Sequence, residues 1–267
     1  SLLGAWWRGQ ATDSLKRKVI QSIANTYPSP HKLHQWGIKP SPICPACKRR
    51  AVPPFGTQSH IQGNCDGTKE ARIRAHHVLR KLLSESISTR CKRWRQLPET
   101  SLGSLQRIIE TASGISIPDL PPFKPTDPDT GKSRMVSWDV SSTWRPDETL
   151  LSVTSKTILT TEFTRPWDRE PDFDAVQDAI KTDRYQAWQR HLSSVLSPHG
   201  WTVHQCNFTV GARGSISEAR WTSNLDLLHF PRRFRERLLR KLHDTALHQL
   251  GEIFSAFQAN QRRDADT

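Results

Sequence analysis

The stretch Cys44-Pro45-Ala46-Cys47, followed by His60 and Cys65, constrains this chain more than any other part of it. The spacing is C-x2-C-x12-H-x4-C, two close pairs of donors separated by a loop. Three thiolates and an imidazole so arranged close tetrahedrally on Zn²⁺ with no open position, so the site is expected to be structural. Its binding energy would fold a segment too short to own a core. The competing reading is chance clustering, with Cys44 and Cys47 as free thiols. The five cysteines are odd in number and three fall in one window, which favours metal binding inside a cell over a disulfide framework. Cys91 is an ordinary cysteine on this reading. Cys206 shares a strand face with Phe208 and Val210 and is expected in a core.

Charge divides the chain. Residues 1–113 hold 19 Lys and Arg against 6 Asp and Glu, whereas residues 114–227 hold 12 against 15 and residues 228–267 hold 8 against 5. A basic front beside a slightly acidic middle suits a nucleic-acid protein, with phosphates on the arm and cations at the centre. The plainer alternative is a solvated basic surface. With 35% hydrophobic residues, small cores are expected rather than one large one. No apolar run reaches the length of a membrane span. The first residues lack the basic flank and cleavage site of a secretory signal. Ser1 is not an initiator methionine, so the chain is expected to be part of a longer one.

Five segments follow. Residues 1–37 contain Trp6-Trp7-Arg8 and a basic amphipathic helix with Leu15, Val19, Ile20 and Ile23 on its apolar side, ending before Tyr27-Pro28-Ser29-Pro30. Residues 38–113 contain the Cys–His window and a basic helix over 68–95. Its apolar side is Ile73, His77, Leu79 and Leu83, and its candidate nucleic-acid contacts are Arg72, Arg74, Arg80 and Lys81. His76 and His77 are read as solvent or core residues rather than spare ligands. A shorter helix covers 102–112. Residues 114–134, with Pro118, Pro121, Pro122, Pro125, Pro128 and Gly131, form a linker or ordered surface loop where the boundary between domains is placed.

Residues 135–227 turn to a β-β-α-β pattern, a mixed α/β layout. Met135 to Val140 is a short strand, and 149–155 a strand or loop. Ile158 to Thr164 is the clearest strand, with Leu159, Thr161 and Phe163 on one face and Ile158, Thr160, Glu162 and Thr164 on the other. A helix capped at Asp172 runs to about Leu196. Val176, Ile180, Ala187, Leu192 and Val195 are its buried side, and Lys181, Tyr185 and Trp188 form a second stripe. Trp201 to Val210 is the last strand. Residues 228–267 carry a basic C-terminal helix, continuous with helical pattern from 225. Its cover is Leu238, Leu239, Leu242, Leu247, Leu250, Ile253 and Phe254, and a disordered tail is expected after Asn260.

Three residues of the middle segment bear the chemistry. Glu162 is a carboxylate inside an apolar and hydroxylic strand, an expensive place for it without a partner. Asp147 follows Pro146 at a strand start or bend, and Lys181 sits beside an aromatic stripe. Two carboxylates can hold Mg²⁺ or Mn²⁺ through oxygen. The ion activates water and polarises phosphate, while a lysine balances the developing charge. Acid, acid and lysine are common residues, and alone they are a weak signal.

The ordered combination is more specific. The Cys–His window with a basic helix behind it, then Arg145-Pro146-Asp147, Glu162, and Lys181-x2-Arg184-Tyr185, resembles the C-terminal region of a non-LTR retrotransposon reverse transcriptase polyprotein. The branch it resembles carries a CCHC zinc knuckle and a restriction-like endonuclease of the PD-(D/E)xK superfamily. The resemblance covers roughly residues 36–215. It implies a restriction-endonuclease-like α/β domain after a small helical knuckle region. It implies Asp147 and Glu162 as magnesium ligands, Lys181 as the catalytic lysine, and Tyr185 as support for the site. Arg145 and Arg184 are implied beside the DNA backbone.

The implied activity is nicking of target DNA to start reverse transcription in the nucleus. The partners would be DNA, with RNA a second candidate, and a reverse transcriptase in cis. Three departures stand. The gap between Cys47 and His60 is longer than a minimal knuckle has, so a distorted loop is an expectation there. Thr164 occupies the place of the usual lysine two after the second acid, although this family sets its lysine on the following helix. No Tyr/Phe-x-Asp-Asp run of a reverse transcriptase occurs. The alternatives are a nucleic-acid-binding module with an inactive nuclease fold, and a cellular repair or recombination nuclease of the same superfamily.

Overall fold

The structure, a computed structural model, describes residues 11–125, 133–168 and 172–263. Trp6-Trp7-Arg8, Pro128 and Gly131 lie outside the described residues. Helices outweigh strands, and a four-stranded mixed sheet makes the chain an α/β protein with a long C-terminal helix.

Helix α1 is Asp13–Ile23, capped by Thr12, whose hydroxyl accepts the Leu15 N–H at 3.3 Å. Only Leu15, Val19 and Ser22 of it are buried, and Ile20 and Ile23 face solvent, so its apolar stripe is narrower than expected. Pro30, read as part of a helix stop, also starts α2 (Pro30–Gln35), where its fixed φ suits the first turn. After the short α3 (Gln58–Gly63) comes α4 (Lys69–Arg90). Its buried stripe is Ala71, Ala75, Leu79, Leu83 and Ile87, one residue every fourth position. Ile73 and His77, expected on that face, are exposed, because residues two places off the stripe point away from the core.

The helix stops at Arg90 rather than 95, and the chain extends into β1 (Arg95–Pro98), a strand absent from the sequence reading. Pro98 ends it at the sheet edge, where a missing N–H does least harm. Helix α5 (Leu102–Ser113) is capped by Ser101 and terminated by Gly114 at φ 71°, a left-handed position that suits glycine. The described part of the proline-rich segment is packed down: Ile117 and Leu120 are buried.

Met135 to Val140 is not a strand. Val136 makes one bridge to Phe123, and Trp138–Ser141 turns into the short helix α6, since no sheet edge is offered to the alternating residues. Then come β2 (Glu148–Ser152), β3 (Thr157–Thr164), α7 (Phe173–Leu196), β4 (Thr202–Thr209), α8 (Glu218–Leu227) and α9 (Arg232–Arg263). The sheet order is β1-β2-β3-β4, antiparallel except for the parallel β3–β4 pair bridged by α7.

Three cores result. Leu159 and Phe163 face one with Cys206, Phe208, Val210, Leu79, Leu83 and Ile87 of α4, and Leu238, Leu239 and Leu242 of α9. Ile158 faces another with α5, Tyr185, Trp188, Leu192 and Leu196. The two faces of β3 thus divide as its alternation requires, and both are covered. On α7 Tyr185 and Trp188 are buried together with Leu192, and Ala187 and Val195 pack against the same core as expected, whereas Val176, in the first turn, is exposed and Ile180 only half-buried. The third core joins Val19, Tyr27, Cys44, Cys47, Ile61 and Cys65 to Leu247, Leu250, Ile253, Phe254 and Phe257 of α9. Helix α9 continues past Asn260 to Arg263, and residues 264–267 are outside the described set. At 32 residues it is long enough to serve two cores, about 1.5 Å per residue. The sheet also takes strands from both sides of the proline-rich segment, since β1 pairs with β2.

Candidate metal centre and active site

The Cys–His window folds so that its four donors meet. Pro45 opens a 3-10 turn (Pro45–Cys47) that brings Cys44 and Cys47 together. Thr57 caps α3 by accepting the His60 N–H at 3.1 Å, which sets the helical turn carrying the imidazole. The donor atoms of Cys44, Cys47, His60 and Cys65 lie within 4.8 Å of one another and all four residues are buried. Sulfur atoms of Cys44 and Cys65 are 3.6 Å apart, those of Cys47 and Cys65 3.9 Å, and Cys47 Sγ is 3.4 Å from His60 Nε2. Zn–S bonds of about 2.3 Å in a tetrahedron put sulfurs about 3.8 Å apart and sulfur about 3.5 Å from nitrogen. The donor set therefore fits one zinc-sized ion, and this group can hold such a metal.

The surroundings favour that role. Asn64 Oδ1 lies 2.7 Å from His60 Nδ1, leaving Nε2 for the metal. The Asp66 amide donates to Cys47 Sγ at 3.3 Å. Arg72 reaches the carbonyl of Cys65 at 3.1 Å and that of Gly63, so it holds the loop as well as bordering a cleft. Without metal the thiols share protons unevenly. Cys65 is held down to about 4, first by the hydrogen bond from the Cys44 thiol. Cys44 is pushed up by the same bond and by burial, and Cys47 is pushed up by burial.

The second site lies where β2, β3 and α7 meet. Register pairs Glu148 with Thr161, so Asp147, one residue before β2, comes beside Glu162. The Asp147 N–H donates to Glu162 Oε1 at 3.2 Å, and the Phe163 N–H donates to Asp147 Oδ2 at 2.7 Å. Helix α7 is fixed on β4 by Asn207, which donates to Asp178 Oδ1 at 2.7 Å and Thr182 Oγ1 at 3.0 Å. That anchor sets Lys181, whose Nζ lies 2.5 Å from Glu162 Oε2. Asp147, Glu162 and Lys181, fifteen to thirty-four positions apart in sequence, are thus brought to one place.

Burial pushes the Glu162 carboxyl up, against the Lys181 charge, and the neighbouring Asp147 pushes it further. Burial also acts on Asp147, but the His76 and Phe163 hydrogen bonds and the Lys181 charge outweigh it and hold Asp147 below its ordinary value. Two adjacent carboxylates are therefore driven apart in acidity, as acid–base pairs in working sites are.

Tyr185 is buried, and its hydroxyl donates to the Arg145 carbonyl at 3.2 Å, so it braces the Arg145-Pro146-Asp147 turn from below. Burial and then the Glu162 charge push its phenol up. Arg145 and Arg184 are exposed, Arg184 with its guanidinium 5.2 Å from the Trp144 ring centre. Arg74 and Lys81 are exposed on α4, Lys81 near Glu85, and Arg80 pairs with Glu99 at 2.6 Å.

One residue of this region was read otherwise from sequence and one was not singled out. His76, read as a solvent or core residue, lies 3.6 Å from Asp147 Oδ1; its spacing of four from both Arg72 and Arg80 on α4 was the available signal. Glu148 is buried, accepts the Ser84 hydroxyl at 3.1 Å, and has its carboxyl pushed up by burial. An acid directly after Asp147, opening an apolar strand, could have marked it.

A cleft of about 650 Å³ opens beside Lys181 and is bordered by Arg72, His76, His77, Phe163, Arg165 and Trp167. Another of about 370 Å³ holds Asp147 and Glu148 with His77, Arg80 and Lys81. His77 lines both; Asp147 and Glu148 line the smaller cleft and Lys181 the larger, while Glu162 is buried and lines neither. Arg165 donates to Gln62 Oε1 and to the Ala212 carbonyl but makes no ion pair among the described residues; burial pushes it down to about 10. No helix among the described residues is long and apolar enough to cross a membrane. No protein-family model matches the chain, and no curated protein does.

Proposed function

We propose that the chain is a metal-dependent DNA endonuclease with a restriction-like catalytic region. On this reading it nicks target DNA in the nucleus for integration of a retrotransposon, beside a reverse transcriptase in cis. The observation that carries the proposal is the meeting of Asp147, Glu162 and Lys181, with Asp147 on one cleft that cations help to line and Lys181 on another. Asp147 and Glu162 would hold Mg²⁺ or Mn²⁺, with water and phosphate oxygens completing its shell, the usual way Mg²⁺ is bound. A bound ion would polarise the phosphate and lower the pKa of its water.

The chain's own groups would do the rest. Lys181 would leave Glu162 Oε2 for the ion and turn its ammonium to the attacking water or to the charge gathering on phosphate. Tyr185 would keep Asp147 in place through the Arg145 carbonyl. Arg80, Lys81 and Arg72 would hold the backbone on either side, and exposed Arg145 and Arg184 would extend that contact.

The test is conversion of supercoiled plasmid to open circle with Mg²⁺, by wild type, Asp147→Asn and Lys181→Met, each checked for folding by circular dichroism. Both variants should lose on the order of 10²–10³ in rate. Nicking that survives both changes rejects the site. A second reading is a nucleic-acid-binding module whose nuclease fold is silent, and one observation favours it: both Glu162 oxygens already have protein partners. Salt-sensitive DNA binding with no cleavage under Mg²⁺ or Mn²⁺ would select it.

A further inference from the structure

A third cleft lies past Trp167, away from the acids. It measures about 360 Å³, at the small end of the range for ligand sites, roughly 300–1,000 Å³. Its walls include Ser29, His31, Lys32, Thr57, Trp167 and Arg213, and no carboxylate lines it among the described residues. His31 Nδ1 is buried there without a hydrogen-bond partner, and Lys32 makes no ion pair among the described residues. The aromatic wall is fixed: the Arg213 guanidinium lies 5.1 Å from the Trp167 ring centre and is itself held by Asp168 at 3.2 Å. Trp167 borders both this cleft and the larger one beside Lys181.

A half-buried indole between a hollow lined by Lys32, His31 and Arg213 and the candidate cutting site is what a strand leaving that site would meet. Bases without a partner stack on such rings whatever their sequence, and their phosphates seek the nearby cations. Duplex DNA hides its base faces, so a ring in a pocket of this size selects an unpaired nucleotide.

Resting on the nuclease reading for its substrate, we propose that this third cleft is a subsite for an unpaired nucleotide flanking the cut, its base against Trp167 and its phosphate on Lys32 and His31. The protein would then prefer a duplex with a single-stranded flank to a blunt one.

Fluorescence anisotropy tests this with the full chain in Ca²⁺, which leaves DNA uncut. The probes are a blunt duplex and the same duplex with a short 5′ or 3′ single-stranded extension. Wild type should bind one of the extended probes about tenfold tighter than the blunt one. Trp167→Leu should erase that gain. Lys32→Gln, on the face of a short helix and harmless to folding, should reduce it severalfold.

Equal binding of all probes by wild type overturns the proposal, as does a gain that survives both substitutions. The outcomes separate from those of the nuclease reading. An extension gain without plasmid nicking keeps the subsite and discards the enzyme, and nicking without a gain does the reverse.

Discussion

At the scale of single residues, the paired carboxylates decide how the site depends on pH. Glu162 must be ionised to hold a cation, and burial raises its pKa, whereas Asp147 is already held low. Nicking should therefore rise with pH through the elevated pKa of Glu162, and Glu162→Gln should abolish it; a flat pH profile in plasmid nicking would contradict this. Stability follows with opposite signs for the two acids. The raised Glu162 contributes stability that is full below its unfolded value of 4.5 and is lost as pH rises through its folded one. The lowered Asp147 contributes stability present above 3.8 and lost as pH falls through its folded value.

Tyr185→Phe removes the brace on the Arg145 carbonyl. It should cost about 1 kcal/mol of stability, the net worth of one hydrogen bond, and lower kcat more than it raises KM. Denaturant melts and steady-state rates check both. Glu162 was legible because a carboxylate inside an apolar strand demands a partner. His76 and Glu148 were not, because their significance comes only from a helix and a strand packing side by side.

Among the elements, α1 and α9 approach closely at Gly251. A Cβ at Gly251 would meet Leu15 Cγ at 2.7 Å and crowd Leu15 Cδ1 more closely still. Alanine there gains about 1 kcal/mol of helix propensity. Overpacking costs about 1–3 kcal/mol, and Leu15, only 5% exposed, has little room to yield. Gly251→Ala should thus lower stability by about 1 kcal/mol, read as a lower midpoint in urea; an unchanged or higher midpoint would show that Leu15 shifts freely. Periodicity revealed most helices and the two faces of β3. It failed at β1, four residues that are strand only because β2 offers an edge, and at α6, where alternating residues found none. On α7 it was right for Leu192, Ala187 and Val195 and failed at Val176 in the first turn, while Tyr185 and Trp188 proved to share the buried face with Leu192.

For the whole molecule, α9 ties the metal centre to the sheet. Its Leu238, Leu239 and Leu242 pack in the core that holds Leu159 and Phe163, and its Leu247 to Phe257 pack in the core that holds Cys44, Cys47 and Cys65. Charge and composition divided the chain at the proline-rich segment and could not reveal this helix crossing back over it. One zinc-sized ion per chain is expected by metal analysis, and its loss should act first on the second of those cores. Four buried donors without an ion are three thiols and an imidazole crowded together, and the segment around them owns too little apolar surface to stay folded.

Chelation, or Cys47→Ser, should therefore speed amide hydrogen exchange over residues 44–68, over α1 and over residues 247–257 of α9, while β3 and β4 stay protected. The melting temperature should fall by on the order of 10 °C, since loss of a structural metal exceeds about 4 kcal/mol and each kcal/mol moves a chain of this size by about 2–4 °C. Exchange confined to residues 44–68, with α9 unchanged, would mean that the metal loop is an appendage and that α9 holds the two cores independently.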